Sequence, residues 1–338
     1  MFCDRRELYE VIEKERNSKL MVYVTGTRPG LETQIANDIL PMFVEHLDRI
    51  GDVEKISLLL YTNGGDTLAA WSLVNLIRSF CKNFEVIIPS SCFSSGTLIC
   101  LGANNLLMTK QACLGPIDPS VNGPLNPMVP GISDPNAKVP VSVEFVNAYI
   151  DLAKNELGIS DQNCLAQILI DLSQKIHPLT LGQVYKSSTQ IQMLAKKLLS
   201  LQHLDEEKEE RIIKFLCSES GSHDYPIRRK EASEYLGLTI EKPTMELYGV
   251  IKNIFDDISN ELELNNVFNP GIMLARQNPC DYSFRRVLIE SLSYGTDVFV
   301  SEGTMQKGIQ QTPAGPREFI NDNRVFEGWR HDPNIHIK

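Results

Sequence analysis

Two short segments hold residue types able to carry out acyl-transfer chemistry. The first is Thr62-Asn63-Gly64-Gly65-Asp66. Paired glycines let the backbone come close to a ligand and leave amide hydrogens pointing outward, while Asp66 can cap a following helix. The second is Ser90-Ser91-Cys92-Phe93-Ser94-Ser95-Gly96-Thr97, which runs straight into an apolar stretch. A serine at such a helix start lies in the positive end of the helix dipole, and the amide of the next residue can point at an oxygen held beside its hydroxyl. Read singly, the first segment is a tight turn with a cap and the second a set of N-capping serines. Read together, about 30 residues apart on neighbouring strands, they offer a glycine amide, a hydroxyl and a second amide, which is what a serine nucleophile requires. Neither segment is G-x-G-x-x-G or a Walker A loop, so nucleotide binding is not indicated. No histidine, cysteine or carboxylate cluster has metal-ligand spacing, and neither a metal nor another cofactor is expected.

The elements that must position these turns follow from periodicity. A helix is predicted over 6–17, a strand over 20–24 and an amphipathic helix over 31–50. Strand 56–61, helix 67–81, strand 84–88, helix 94–101 and strand 105–109 complete a βαβαβ rhythm, which implies parallel strands with right-handed crossovers and an α/β fold. Open parallel sheets put their active crevice at the carboxyl ends of the strands, where both turns fall. From 114 to 140 the prolines Pro116, Pro119, Pro124, Pro127, Pro130, Pro135 and Pro140 exclude helix and central strand, so a long shaped loop is expected. Helices are predicted over 143–157, 164–176 and 184–199, with a charged start at 205–210 to a further one. A second unit is expected to begin at 243. The domain expectation is thus 1–242 and 243–338, the latter a helical or α/β extension with a regulatory or oligomerising role.

The chain has 338 residues and a formal net charge of −10. A field of that sign repels phosphate backbones and anionic headgroups, so nucleic acid and membrane surfaces are not expected partners. The longest apolar runs are strand-sized, far short of the ~20 residues of a spanning helix. With no apolar stretch behind the charged residues 4–7, a secretory signal is not expected either, and the chain is placed in the cytoplasm. Eight scattered cysteines without a C-x-x-C pair read as reduced thiols.

Three ordered motifs carry a resemblance: 58–67, Phe93-Ser94-Ser95-Gly96-Thr97-Leu98-Ile99, and Leu114-Gly115-Pro116-Ile117-Asp118-Pro119. Together they resemble the serine dehydrogenase proteinase family, related to signal peptide peptidase A and the Clp proteolytic subunit, over about Leu20 to Ile240. The resemblance implies a crotonase-like fold of the ClpP type, a repeated ββα superhelix, and a serine peptidase that forms homo-oligomers and acts on peptides or proteins. It also implies that Ser94 is the nucleophile, with the amides of Gly64 and Ser95 as oxyanion donors and Gly65 supporting the turn. Asp224, in Ser222-His223-Asp224-Tyr225-Pro226, falls on the triad aspartate of the Clp subunit. The base departs from that pattern, because 113–118 contains no histidine. Lys138 is the match by spacing to the lysine of signal peptide peptidase A relatives, and His223 is the rival. Asp118 reads only as a loop cap. Two other readings stay open: an acyl-coenzyme A enzyme on the same scaffold, and an assembly module without catalysis.

Overall fold

The structure, a computed structural model of the chain, describes residues 2–132, 134, 136–202, 204–312 and 315–332. Helix α1 (Phe2–Arg16) leads into β1 (Lys19–Thr25), and α2 (Leu40–Ile50) returns to β2 (Val53–Tyr61). Then follow α3 (Thr67–Arg78), β3 (Cys81–Ile88), β4 (Ser91–Cys92), α4 (Ser95–Leu101), β5 (Asn105–Met108) and β6 (Cys113–Leu114). Strands β1, β2, β3 and β5 pair in parallel, each with its apolar run buried, as expected where helices cover a sheet. The predicted helix over 31–50 forms only from Leu40, with Pro41 in its first turn. The preceding residues serve another purpose, because Ile35 bridges Gly65.

The chain divides into two compact units, Met1–Leu114 with Arg228–Lys338, and Gly115–Ile227. Within the second unit lie β7 (Ser120–Val121), β8 (Val141–Ser142), α5 (Val143–Asp151), α6 (Gln162–Lys175), α7 (Pro178–Leu199) and α8 (Glu206–Lys214). Its small core is built on Val121, Val141, Val143 and Val184. The described residues of 115–140 form no helix; β7 and a bridge between Met128 and Lys138 are their regular features, and Pro135 lies outside the described residues.

After β9 (Ile227–Arg228) come α9 (Arg229–Glu234), β10 (Ile240–Glu241), α10 (Met245–Glu261) and α11 (Pro270–Arg276). The chain then turns to strand: β11 (Cys280–Ser291), β12 (Gly295–Thr312) and β13 (Gly315–Asp332). Strands thus make up much of 243–338, where the expectation was a helical or α/β extension. The division also falls elsewhere than between 242 and 243, for a physical reason: β11 runs antiparallel on β1, with Val24 opposite Leu288. In addition Leu247, Ile251 and Ile254 of α10 share one core with Tyr9 and Ile12 of α1 and Val22 of β1. The resulting sheet has the order β10-β5-β3-β2-β1-β11-β12-β13. Among the described residues, no helix is long and apolar enough to cross a membrane.

Candidate active site

The two turns picked out by residue type meet in the first unit. Thr62, at the end of β2, donates its N–H to Ser91 O at 3.2 Å, and Phe93 N–H donates back to Thr62 O at 3.0 Å. Where these loops touch, only glycine fits. A Cβ on Gly64 would lie 2.7 Å from Ser94 Cβ and 2.9 Å from Phe93 O, and the backbone there has φ +104°. On Gly96 it would lie 2.5 Å from Thr62 Cγ2. The Gly64-Gly65 turn is clamped from its other side by Ile35, whose N–H donates to Gly64 O and whose carbonyl accepts from Asp66 N–H, both at 2.8 Å. Asp66 then caps α3, accepting from Ala69 N–H at 2.7 Å.

Ser94 occupies a sharp elbow. Its φ of 52° and ψ of −117° match the first central residue of a type II′ turn, about +60° and −120°. The turn is closed by Gly96 N–H donating to Phe93 O at 2.8 Å. Holding a non-glycine residue there costs on the order of 1–3 kcal/mol, a strain that clusters at functional sites. Ser94 is half-buried, and among the described residues nothing hydrogen-bonds its hydroxyl. The Ser95 hydroxyl, by contrast, is buried and committed, donating to Gly65 O at 2.5 Å. The amides divide in the same way. Gly64 N–H donates to Thr62 Oγ1 at 3.0 Å, whereas the N–H groups of Gly65 and Ser95 have no acceptor among the described residues. One free hydroxyl and two unengaged amides thus sit on adjoining loops.

The remaining candidates belong to the second unit. His223 Nδ1 lies 2.8 Å from Asp118 Oδ1, and Asp118 is only 3% exposed. The hydrogen bond to Asp118, with the charge behind it, raises the His223 pKa above the ordinary histidine value against a smaller effect of burial. Glu144, at the start of α5, is also pushed up, first by burial and then by the like charge and hydrogen bond of Asp118. Reading by residue type set Asp118 aside as a loop cap, whereas the structure pairs it with His223. The available signal was a carboxylate lodged between Ile117 and Pro119 in an otherwise apolar run. Asp224 does not face His223's ring nitrogen in this pair: it is exposed, in a turn closed by Tyr225 N–H on Ser222 O, and its own N–H donates to Ser222 Oγ at 3.3 Å. Lys138 is half-buried, with Nζ 3.0 Å from Met128 Sδ. His177 caps α7 by accepting from Leu179 N–H. No group of three or more metal-ligating side chains is gathered among the described residues.

Comparison with known proteins agrees with the motifs. A family model described as ClpP-like SDH-type serine proteinase matches residues 47–257. Two uncharacterized proteins of Methanocaldococcus jannaschii, MJ0137 and MJ1495, are each 28% identical, over 188 and 185 residues. These alignments cover 56% and 55% of this chain and 54% and 51% of those proteins, so the chain spans about half the length of the curated relatives it matches. Among solved structures, two mutants of the 1510-N membrane-bound stomatin-specific protease are similar at 15% identity, one of them in complex with a substrate peptide. They cover 72% and 70% of this chain and 86% and 99% of their own, with TM-scores of 0.39 and 0.35.

Proposed function

The chain belongs to the ClpP-like SDH-type serine proteinase family, and from that premise we propose that it hydrolyses peptide bonds through an acyl-enzyme on Ser94. The observation that carries the reading is the elbow: a hydroxyl at positive φ that has no partner among the described residues, beside two backbone amides that none of them uses. Ser94 Oγ attacks the scissile carbonyl, and the oxyanion that forms is bound by the amides of Gly65 and Ser95. Gly65 is preferred over Gly64 because the Gly64 amide already serves Thr62. Each such donor contributes about 3 kcal/mol to the barrier reduction. Gly64 has a steric role, since any side chain there would strike Ser94.

The base we propose is His223, with Asp118 rather than Asp224 as its carboxylate. What supports it is the Nδ1 contact, which fixes the tautomer and leaves Nε2 to take the serine proton and return it to the leaving amine. Lys138 remains the alternative. It is half-buried, with the Met128 thioether 3.0 Å from its Nζ and no carboxylate bonded to it among the described residues. The same reading carries the finer expectations: a crotonase-like ββα superhelix, a peptide or protein substrate, a cytoplasmic setting and a homo-oligomer.

A fluorophosphonate probe tests the nucleophile. Wild type is expected to be labelled and Ser94→Ala to stay unlabelled while unfolding at a similar temperature; equal labelling of the two defeats the assignment. For the base, acylation rates of His223→Ala and Lys138→Met are compared, and whichever variant keeps the full rate is excluded.

A further inference from the structure

The strip of chain whose Ile35 clamps Gly64 and Gly65 also walls a cleft of about 410 Å³ in the first unit, closed on its far side by β11, β12 and β13. Its floor is apolar, formed by Ile39, Val287, Phe299 and the indole of Trp329. Trp329 stands edge-on to Phe299, ring centroids 5.6 Å apart, and donates its Nε1–H to Asp38 Oδ2 at 2.8 Å.

The charges around this floor are unequal. Glu32, Asp38 and Glu327 line the cleft against one guanidinium, that of Arg286. Every nitrogen of Arg286 is already engaged: Nε with Leu31 O, Nη2 with Glu32 O, and Nη1 with Ser301 Oγ and Glu327. Its ionic partner in the cleft is Glu327, at 3.3 Å. Glu327 is further held by Arg324 and Ser301. Asp38, in contrast, is exposed and pairs with no cation among the described residues; its one hydrogen bond, to an indole, is neutral. A group that fits must therefore offer a cation at the end of an apolar stem, and an aromatic face favours such a cation further.

We propose that this cleft is a subsite for a lysine or arginine side chain of the peptide substrate, its methylene stem against Ile39 and Trp329 and its charge on Asp38 and Glu32. The proposal rests on the peptidase reading and deepens it, because the cleft wall and the clamp on the oxyanion turn are the same backbone, Gln34-Ile35-Ala36.

The chain has two tryptophans, Trp71 and Trp329, so Trp71→Phe leaves Trp329 as the sole reporter. In that background an acetylated tetrapeptide amide carrying one arginine among alanines is expected to change the emission saturably, and its glutamate counterpart to do so at least tenfold more weakly. Asp38→Lys is expected to abolish or reverse this preference. Glu32→Gln, which leaves the Trp329 bond in place, is expected to weaken it by a smaller factor. Equal binding of the two peptides, or a preference indifferent to Asp38→Lys, overturns the subsite. Failure of the probe to label Ser94 in wild type overturns the peptidase reading, so the two failures are told apart.

Discussion

At the scale of single residues, the chemistry rests on what each group is left free to do. Ser94 and Ser95 are neighbours of one type in opposite states: the Ser95 hydroxyl is spent on Gly65 O, while that of Ser94 has no partner among the described residues. The same logic governs His223, whose bond to Asp118 both orients the ring and stabilises its charged form. A general base works when neutral. With its pKa raised above the ordinary value of about 6.5, His223 is expected to place the lower limb of the pH–rate profile above that value. Removing the negative charge favours the neutral ring, so Asp118→Asn should move the limb to lower pH while reducing the limiting rate of acylation. A profile with an unmoved limb would show that His223 does not limit the reaction.

At the scale of elements, the site depends on residues 31–36, which precede a short 3-10 turn at Asn37–Ile39 and form no helix or named strand. Residues 31–39 carry the apolar spacing of a helix, yet Ile35 is fully buried as the bridge that pins the Gly64-Gly65 turn. Two hydrogen bonds at 2.8 Å do the pinning. Proline has no N–H, so Ile35→Pro deletes the one to Gly64 O and should slow probe labelling of Ser94 at least tenfold. Ile35→Val keeps both bonds and should label at near the wild-type rate. If the proline variant reacts as fast as wild type, the clamp does not position the oxyanion turn.

At the scale of the molecule, a buried ionic network ties chain positions some 285 residues apart. Arg5, 1% exposed, donates to Glu290 in β11 through Nε and Nη2, at 3.1 and 2.5 Å, and also to Glu261 at 2.8 Å. Tyr9 donates its hydroxyl to the same Glu290, which is wholly buried. Removing one partner strands the other charge, a loss of roughly 3–5 kcal/mol. Arg5→Met should therefore lower the denaturation midpoint sharply, and Arg5→Met with Glu290→Gln should recover part of the loss. Equal stability of Arg5→Met and wild type would mean that Glu290 is protonated or hydrated without Arg5.

The sequence by itself determined what is local. The order β1, β2, β3, β5 and the helices between them follow from apolar periodicity. Gly64 was legible because paired glycines let the backbone come close to a ligand, and Ser94 through the resemblance of its motif to a peptidase family. Tertiary structure decided whatever joins distant positions. Asp118 and His223 lie 105 residues apart, and nothing near either one names its partner. Nor does anything in the sequence of β11–β13 say that they extend a sheet begun by β1, and the spacing of 31–39 gives no sign that Ile35 will bridge Gly65. Periodicity reports which face of a segment is buried; which surface buries it is a property of chain closure, set by contacts that leave no repeat in the sequence.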